Sequence, residues 1–163
     1  MTQEEKDLIY KDLCGRLSSG VIVQQSAKYP KGHSMHNVAD KWDTEPHNFK
    51  IIGVEGTNTL ITDKRKEERT YAKGIVSSPI TISIHNGFTG QVVKPYLRSI
   101  LSTTEEEQYQ LGRLLGATSY NLLGGEYSSL KDLLEYVYKN HIDLFGLIPM
   151  GLALEAPEGM YNI

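Results

Sequence analysis

The chain has one cysteine, Cys14, in 163 residues. An internal disulfide is therefore ruled out, and a chain of this length can bury a sizeable core without one. Long hydrophobic runs are also missing. A membrane helix needs roughly 18 consecutive apolar residues, whereas the most apolar stretch, "GLIPMGLALEAPEGMYNI" from Gly146 to Ile163, is interrupted by Gly, Pro and Glu throughout. No charged-then-apolar leader opens the sequence, so secretion and membrane insertion are not expected and the cytosol is. Internal repeats and low-complexity linkers are absent as well, which points to a single domain over 1–163.

A strong excess of either charge is lacking, but the net −3 is unevenly spread. Residues 1–19 hold 3 basic and 4 acidic side chains, residues 20–101 hold 11 and 7, and residues 102–163 hold 3 and 9. The middle is mildly basic and the end acidic. With 39% hydrophobic and 23% charged residues, the composition is that of a globular chain rather than a disordered or fibrous one.

What is present is a change of period. "MTQEEKDLIYKDLCGRL" (1–17) reads as an amphipathic helix: Thr2 and Glu5 fit a capping box, and Leu8, Ile9, Leu13 and Leu17 form one apolar stripe. "SSG" at 18–20 stops it. From about 20 to 93, short β-branched runs separated by turn residues predict strands, most clearly where Ile80, Ile82 and Ile84 alternate with Thr81, Ser83 and His85. A helical period returns over 103–141. Thr103 and Thr104 each precede a glutamate by three residues, with Tyr109, Leu111, Leu114 and Leu115 as the stripe, and Gly124 and Gly125 end that helix. A last helix, capped by Ser128 or Ser129, presents Leu130, Leu133, Leu134, Val137 and Tyr138. The expected fold class is α+β: an antiparallel sheet over about 20–93, open or barrel-like, covered by an N-terminal helix and two C-terminal helices. The tail, 142–163, carries Ile142, Leu144, Phe145, Leu147, Ile148, Leu152 and Leu154, too much apolar surface to leave in water, so it is expected to pack, with "LALE" as a closing edge strand.

Signatures of chemistry are scarce. His33 and His36, three residues apart with Asp40, Asp43, His47 and Cys14 elsewhere, have near-zinc spacing but no second close ligand pair, so no metal is expected there. No glycine-flanked nucleophile elbow, phosphate loop or dinucleotide fingerprint occurs, and Cys14 on the helix stripe reads as a small core residue. No catalytic residue and no cofactor are assigned. Glu105, Glu106 and Glu107 read as a dipole-favoured helix start. The densest charge run, "TDKRKEERTYAK", reads as a solvated hairpin tip. Its alternative is phosphate contact through Lys64, Arg65, Lys66 and Arg69, with Trp42, Phe49, Tyr71, Phe88 and Tyr96 as stacking platforms.

Three stretches, "MTQEEKDLIYKDLCGRL", "VVKPYLRSILSTTEEE" and "GLIPMGLALEAPEGMY", resemble a group of small uncharacterised proteins from gut bacteria, carried by phages or other mobile elements. The resemblance covers residues 1–17, 92–107 and 146–161 and implies an intracellular accessory protein; no activity, cofactor or catalytic residue carries over. The leading expectation is a non-enzymatic binding or adaptor protein. Its rivals are a nucleic-acid-binding accessory protein using the basic central region, a self-assembling protein with Leu152, Leu154, Met160 and Tyr161 at an interface, and an enzyme without a recognisable motif.

Overall fold

The computed structural model describes residues 1–26, 46–56, 58–70, 74–85, 92–124 and 128–161, with only the backbone of 64–70, 74–81, 117–124 and 128–129. The chain is α+β and divides into two compact units, Met1–Tyr96 and Leu97–Ile163.

The first unit opens with helix α1 (Gln3–Gly15), and the expected capping box is present: Thr2 accepts from the Glu5 N–H, and the Glu5 carboxylate accepts from the Thr2 N–H at 2.6 Å. Ile9 and Leu13 are buried, as the stripe requires, while Leu8 and Leu17 are half-buried. Between them lies a feature the apolar pattern hides. Asp12 and Arg16, one turn apart, are 1% and 0% exposed, and the guanidinium holds the carboxylate with two bonds of 2.7 and 2.9 Å. Two side chains that read as surface charges are core. Helix α1 ends in a short 3-10 turn, Leu17–Ser19, and the chain reverses at Gly20 with φ 68°. A Cβ there would stand 2.5 Å from the Lys50 side chain as well as forcing a left-handed backbone.

Five strands follow: β1 (Ile22–Gln25), β2 (His47–Glu55), β3 (Thr59–Thr70), β4 (Gly74–Ser83) and β5 (Val93–Leu97). Their order is β4-β3-β2-β1-β5, every pairing antiparallel. The sheet is open; among the described residues an isolated bridge, His85 with Val92, links the stretch after β4 to the one before β5. Strand alternation along β2 buries Phe49 and Ile51 and leaves Ile52 55% exposed, and a register shift against β3 falls between Ile51 and Gly53. Val21, Val23, Phe49, Leu60, Ile82, Ile84 and Val93 complete the core of this unit. The Tyr10 hydroxyl donates to the Gly56 carbonyl at 2.7 Å, tying α1 to the end of β2.

The second unit holds a 3-10 turn (Ile100–Ser102), helix α2 (Glu105–Gly124), helix α3 (Ser128–Lys139) and the two-residue strand β6 (Leu154–Glu155). Its core is Leu111, Leu133, Val137 and Ile142, with Leu114, Tyr136, Tyr138 and Leu144 packed against them. The expected stripes are partly corrected: Tyr109, Leu115 and Leu130 are 66%, 42% and 40% exposed. At about 100° per residue, Leu115 lies about 40° to one side of Leu111, while Leu114 and Glu107 lie about 60° and 40° to the other, so the buried face is turned away from Leu115. Tyr109 points to the far side of the same helix. Among the described residues no helix is long and apolar enough to cross a membrane.

Removing one partner of a buried ion pair strands the other charge. Asp12→Ala should therefore cost about 3–5 kcal/mol in chemical denaturation, and the paired replacement Asp12→Leu with Arg16→Met should cost much less.

Candidate functional site

The second unit contains a cleft of about 430 Å³ lined by Arg98, Ser102, Glu155, Ala156, Pro157, Glu158, Gly159 and Tyr161. One wall is set by Arg98. Its backbone is bracketed, the N–H donating to the His141 carbonyl at 2.8 Å and the carbonyl accepting from the Asp143 N–H at 2.9 Å. Its guanidinium makes a two-pronged contact with Glu107 at 2.6 and 2.9 Å and reaches the Asn140 carbonyl at 3.4 Å.

Glu107 is shared. It is the third residue of a capping box at the start of α2: its Oε2 accepts from the Thr104 N–H at 2.8 Å, and its own N–H donates to Thr104 Oγ1 at 3.2 Å. The Arg98 bonds, with help from Thr104, hold its carboxyl at about 2 against an ordinary 4.5, and Glu107 in turn pushes the Arg98 guanidinium up. Burial, with the Glu107 and Glu106 charges behind it, raises the Tyr136 phenol.

The floor behind Tyr161 is built by the end of α3. His141 has φ 55°, and the bonds from its N–H to the Tyr138 carbonyl and from the Ile142 N–H to the Val137 carbonyl make a Schellman termination, with Ile142 and Val137 meeting in the core. Glycine is the usual residue at that left-handed position. Here histidine occupies it, 3% exposed, and its ring stacks on Tyr161 with centroids 3.6 Å apart and planes 10° off parallel.

The opposite wall comes from the tail. Asp143 accepts from the Leu147 and Ile148 N–H groups, both at 2.8 Å, and Leu147, fully buried, accepts in turn from Leu152 and Ala153. The Ala156 N–H then donates to the Leu97 carbonyl at 2.8 Å. Pro157 and Met160 close a turn in which Gly159, at φ 75°, takes the third position. That geometry fits a type II turn and leaves Glu158 at its exposed corner.

No protein-family model matches this chain, and no curated protein or solved structure does either.

The sequence-derived candidates fall in several places. Tyr161 is half-buried and lines the cleft, Leu154 and Met160 are half-buried, and Leu152 is 7% exposed. Lys64, Arg65, Lys66 and Arg69 lie on β3, where Arg65, Lys66 and Arg69 pair with Pro79, Ser78 and Ile75 of β4; residues 62–70 of the run are strand, while residues 71–73 and the side chains of 64–70 lie outside the described residues. Of the proposed stacking platforms, Phe49 and Tyr96 are buried, and Trp42, Tyr71 and Phe88 lie outside the described residues. So do His33, His36, Asp40 and Asp43, while His47 is on β2 and Cys14 is half-buried on α1; among the described residues no three potential metal ligands gather. Sequence reasoning missed Arg98, Glu107 and His141. The second capping box did point at Glu107, but nothing linked it to an arginine nine residues earlier.

Two outcomes follow from this geometry. Because the Glu107 carboxyl titrates lower when folded than when unfolded, its contribution is complete above pH about 4.5 and is lost as pH falls toward about 2. Glu107→Gln should cost about 2 kcal/mol at neutral pH, and the gap between wild type and variant should close over that acid window in pH-dependent unfolding. At position 141, alanine and glycine both remove the ring stack, but only alanine keeps the left-handed penalty. His141→Ala should therefore be less stable than His141→Gly by about 1 kcal/mol.

Proposed function

We propose that this chain is a non-enzymatic accessory protein that binds a partner in the cleft of its second unit. The observation that carries the reading is the commitment of the cleft's reactive-looking groups to the fold. The Ser102 hydroxyl donates to the Ser99 carbonyl at 2.8 Å, and the Arg98 guanidinium is occupied by Glu107 and Asn140. A nucleophile needs a neighbouring base within hydrogen-bond reach, and Ser102 is turned instead toward a backbone acceptor. The walls that remain, Ala156, Pro157, Gly159, the ring of Tyr161 and the carboxylates of Glu155 and Glu158, are surfaces for recognition. The resemblance of residues 1–17, 92–107 and 146–161 to mobile-element proteins supports an accessory role.

The test pairs turnover with binding. Wild type and Ser102→Ala should show no difference against a panel of chromogenic carboxylic and phosphoric esters, while a mixture of small charged and aromatic fragments should move the amide resonances of residues 155–161 in wild type. Turnover that disappears in Ser102→Ala would overturn the proposal.

A further inference from the structure

The charges lining the cleft do not balance. Arg98 is neutralised by Glu107, whereas Glu155 and Glu158 are exposed and have no ion-pair or hydrogen-bond partner among the described residues. Both carboxylates sit on backbone flanked by hydrogen bonds. Glu155 is in β6, followed at once by the Ala156 bond to Leu97, and Glu158 is at the corner of the glycine-containing turn. Between them the cleft presents Ala156 and Pro157 as apolar wall, with the Tyr161 ring held in one orientation by its stack on the buried His141.

We infer that the cleft receives a lysine- or arginine-bearing segment of a partner protein, Glu155 and Glu158 taking the cationic head groups and Tyr161 the side-chain stem. This rests on the binding-cleft reading above and names its ligand class. The match is chemical at each point. Lysine and arginine carry an apolar stem and a charged head, and an aromatic ring attracts a cation lying near its face. An anionic segment would meet two uncompensated carboxylates, and the one cation in the wall is already held by Glu107. A volume of about 430 Å³ suits a short segment rather than a broad protein face. The acidic excess of residues 102–163, 9 acidic against 3 basic side chains, draws such a partner toward the cleft over longer range.

The probe is a fluorescein-labelled peptide of alternating lysine and glycine, read by polarisation and by amide shifts of the full chain, beside a glutamate and glycine peptide of the same length. The basic peptide should bind, shift residues 155–161, and weaken as salt is raised. Glu155→Gln with Glu158→Gln should weaken it about tenfold without changing the melting temperature, whereas Glu105→Gln with Glu106→Gln, acids outside the cleft that add only to the long-range field, should weaken it far less. The inference is overturned if both double variants lose binding equally, if the cleft variant loses none, or if the acidic peptide binds as well. Should the basic peptide leave residues 155–161 unmoved while the fragment mixture shifts them, the cleft still binds and only its cationic class is wrong.

Discussion

The second unit turns on one carboxylate. Glu107 closes the capping box that starts α2 and at the same time takes both prongs of the Arg98 guanidinium. Arg98 in turn brackets the peptide between His141 and Asp143 with its own backbone. A helix start, the residue after β5, the end of α3 and the beginning of the tail therefore meet at one pair of residues, through the side chains at Glu107 and through the Arg98 backbone at His141 and Asp143. The pair is only 18% and 12% exposed, so water weakens it far less than it would a surface bridge. From there the order passes to Asp143, which fixes the turn at Leu147, and through Leu147 to the stretch that lines the cleft.

Much of the architecture could be read from the chain because local rules and burial agree there. Thr2 with Glu5 announces α1, and Thr104 with Glu107 announces α2, since a capping box is a four-residue pattern needing no distant partner. The alternation around Ile82 and Ile84 likewise predicts the strand and its buried face. Legibility fails where burial depends on what lies opposite. Asp12 and Arg16 have the polarity of surface residues and are core because they satisfy each other, while Leu115 has the polarity of core and is exposed because the helix turns its other side inward. The charge run at 62–73 reads as a tip because charged residues are common in turns, yet antiparallel pairing with β4 carries the backbone of β3 through its described part as far as Thr70.

The cleft was hidden for a different reason. Its lining comes from residues 98, 102, 155–159 and 161, far apart in sequence, and no periodic pattern relates them. "EAPEG" by itself shows only a turn between two glutamates. That the turn faces Arg98 follows from the Ala156 bond to Leu97, a backbone contact with no compositional trace. The histidine at 141 is similar: a left-handed helix end signals glycine, and the ring that makes histidine useful there stacks on a residue twenty positions later.

The division of the chain into Met1–Tyr96 and Leu97–Ile163 also sets a sequence of events on the ribosome. Each unit is drawn from one uninterrupted stretch, and chains synthesised from the N-terminus fold unit by unit as they emerge. The first unit, Met1–Tyr96, holds β1 to β4 and all of β5 but Leu97. The second must wait, because the Leu97 carbonyl accepts from the Ala156 N–H, so nearly the whole stretch has to be translated before that bond can form.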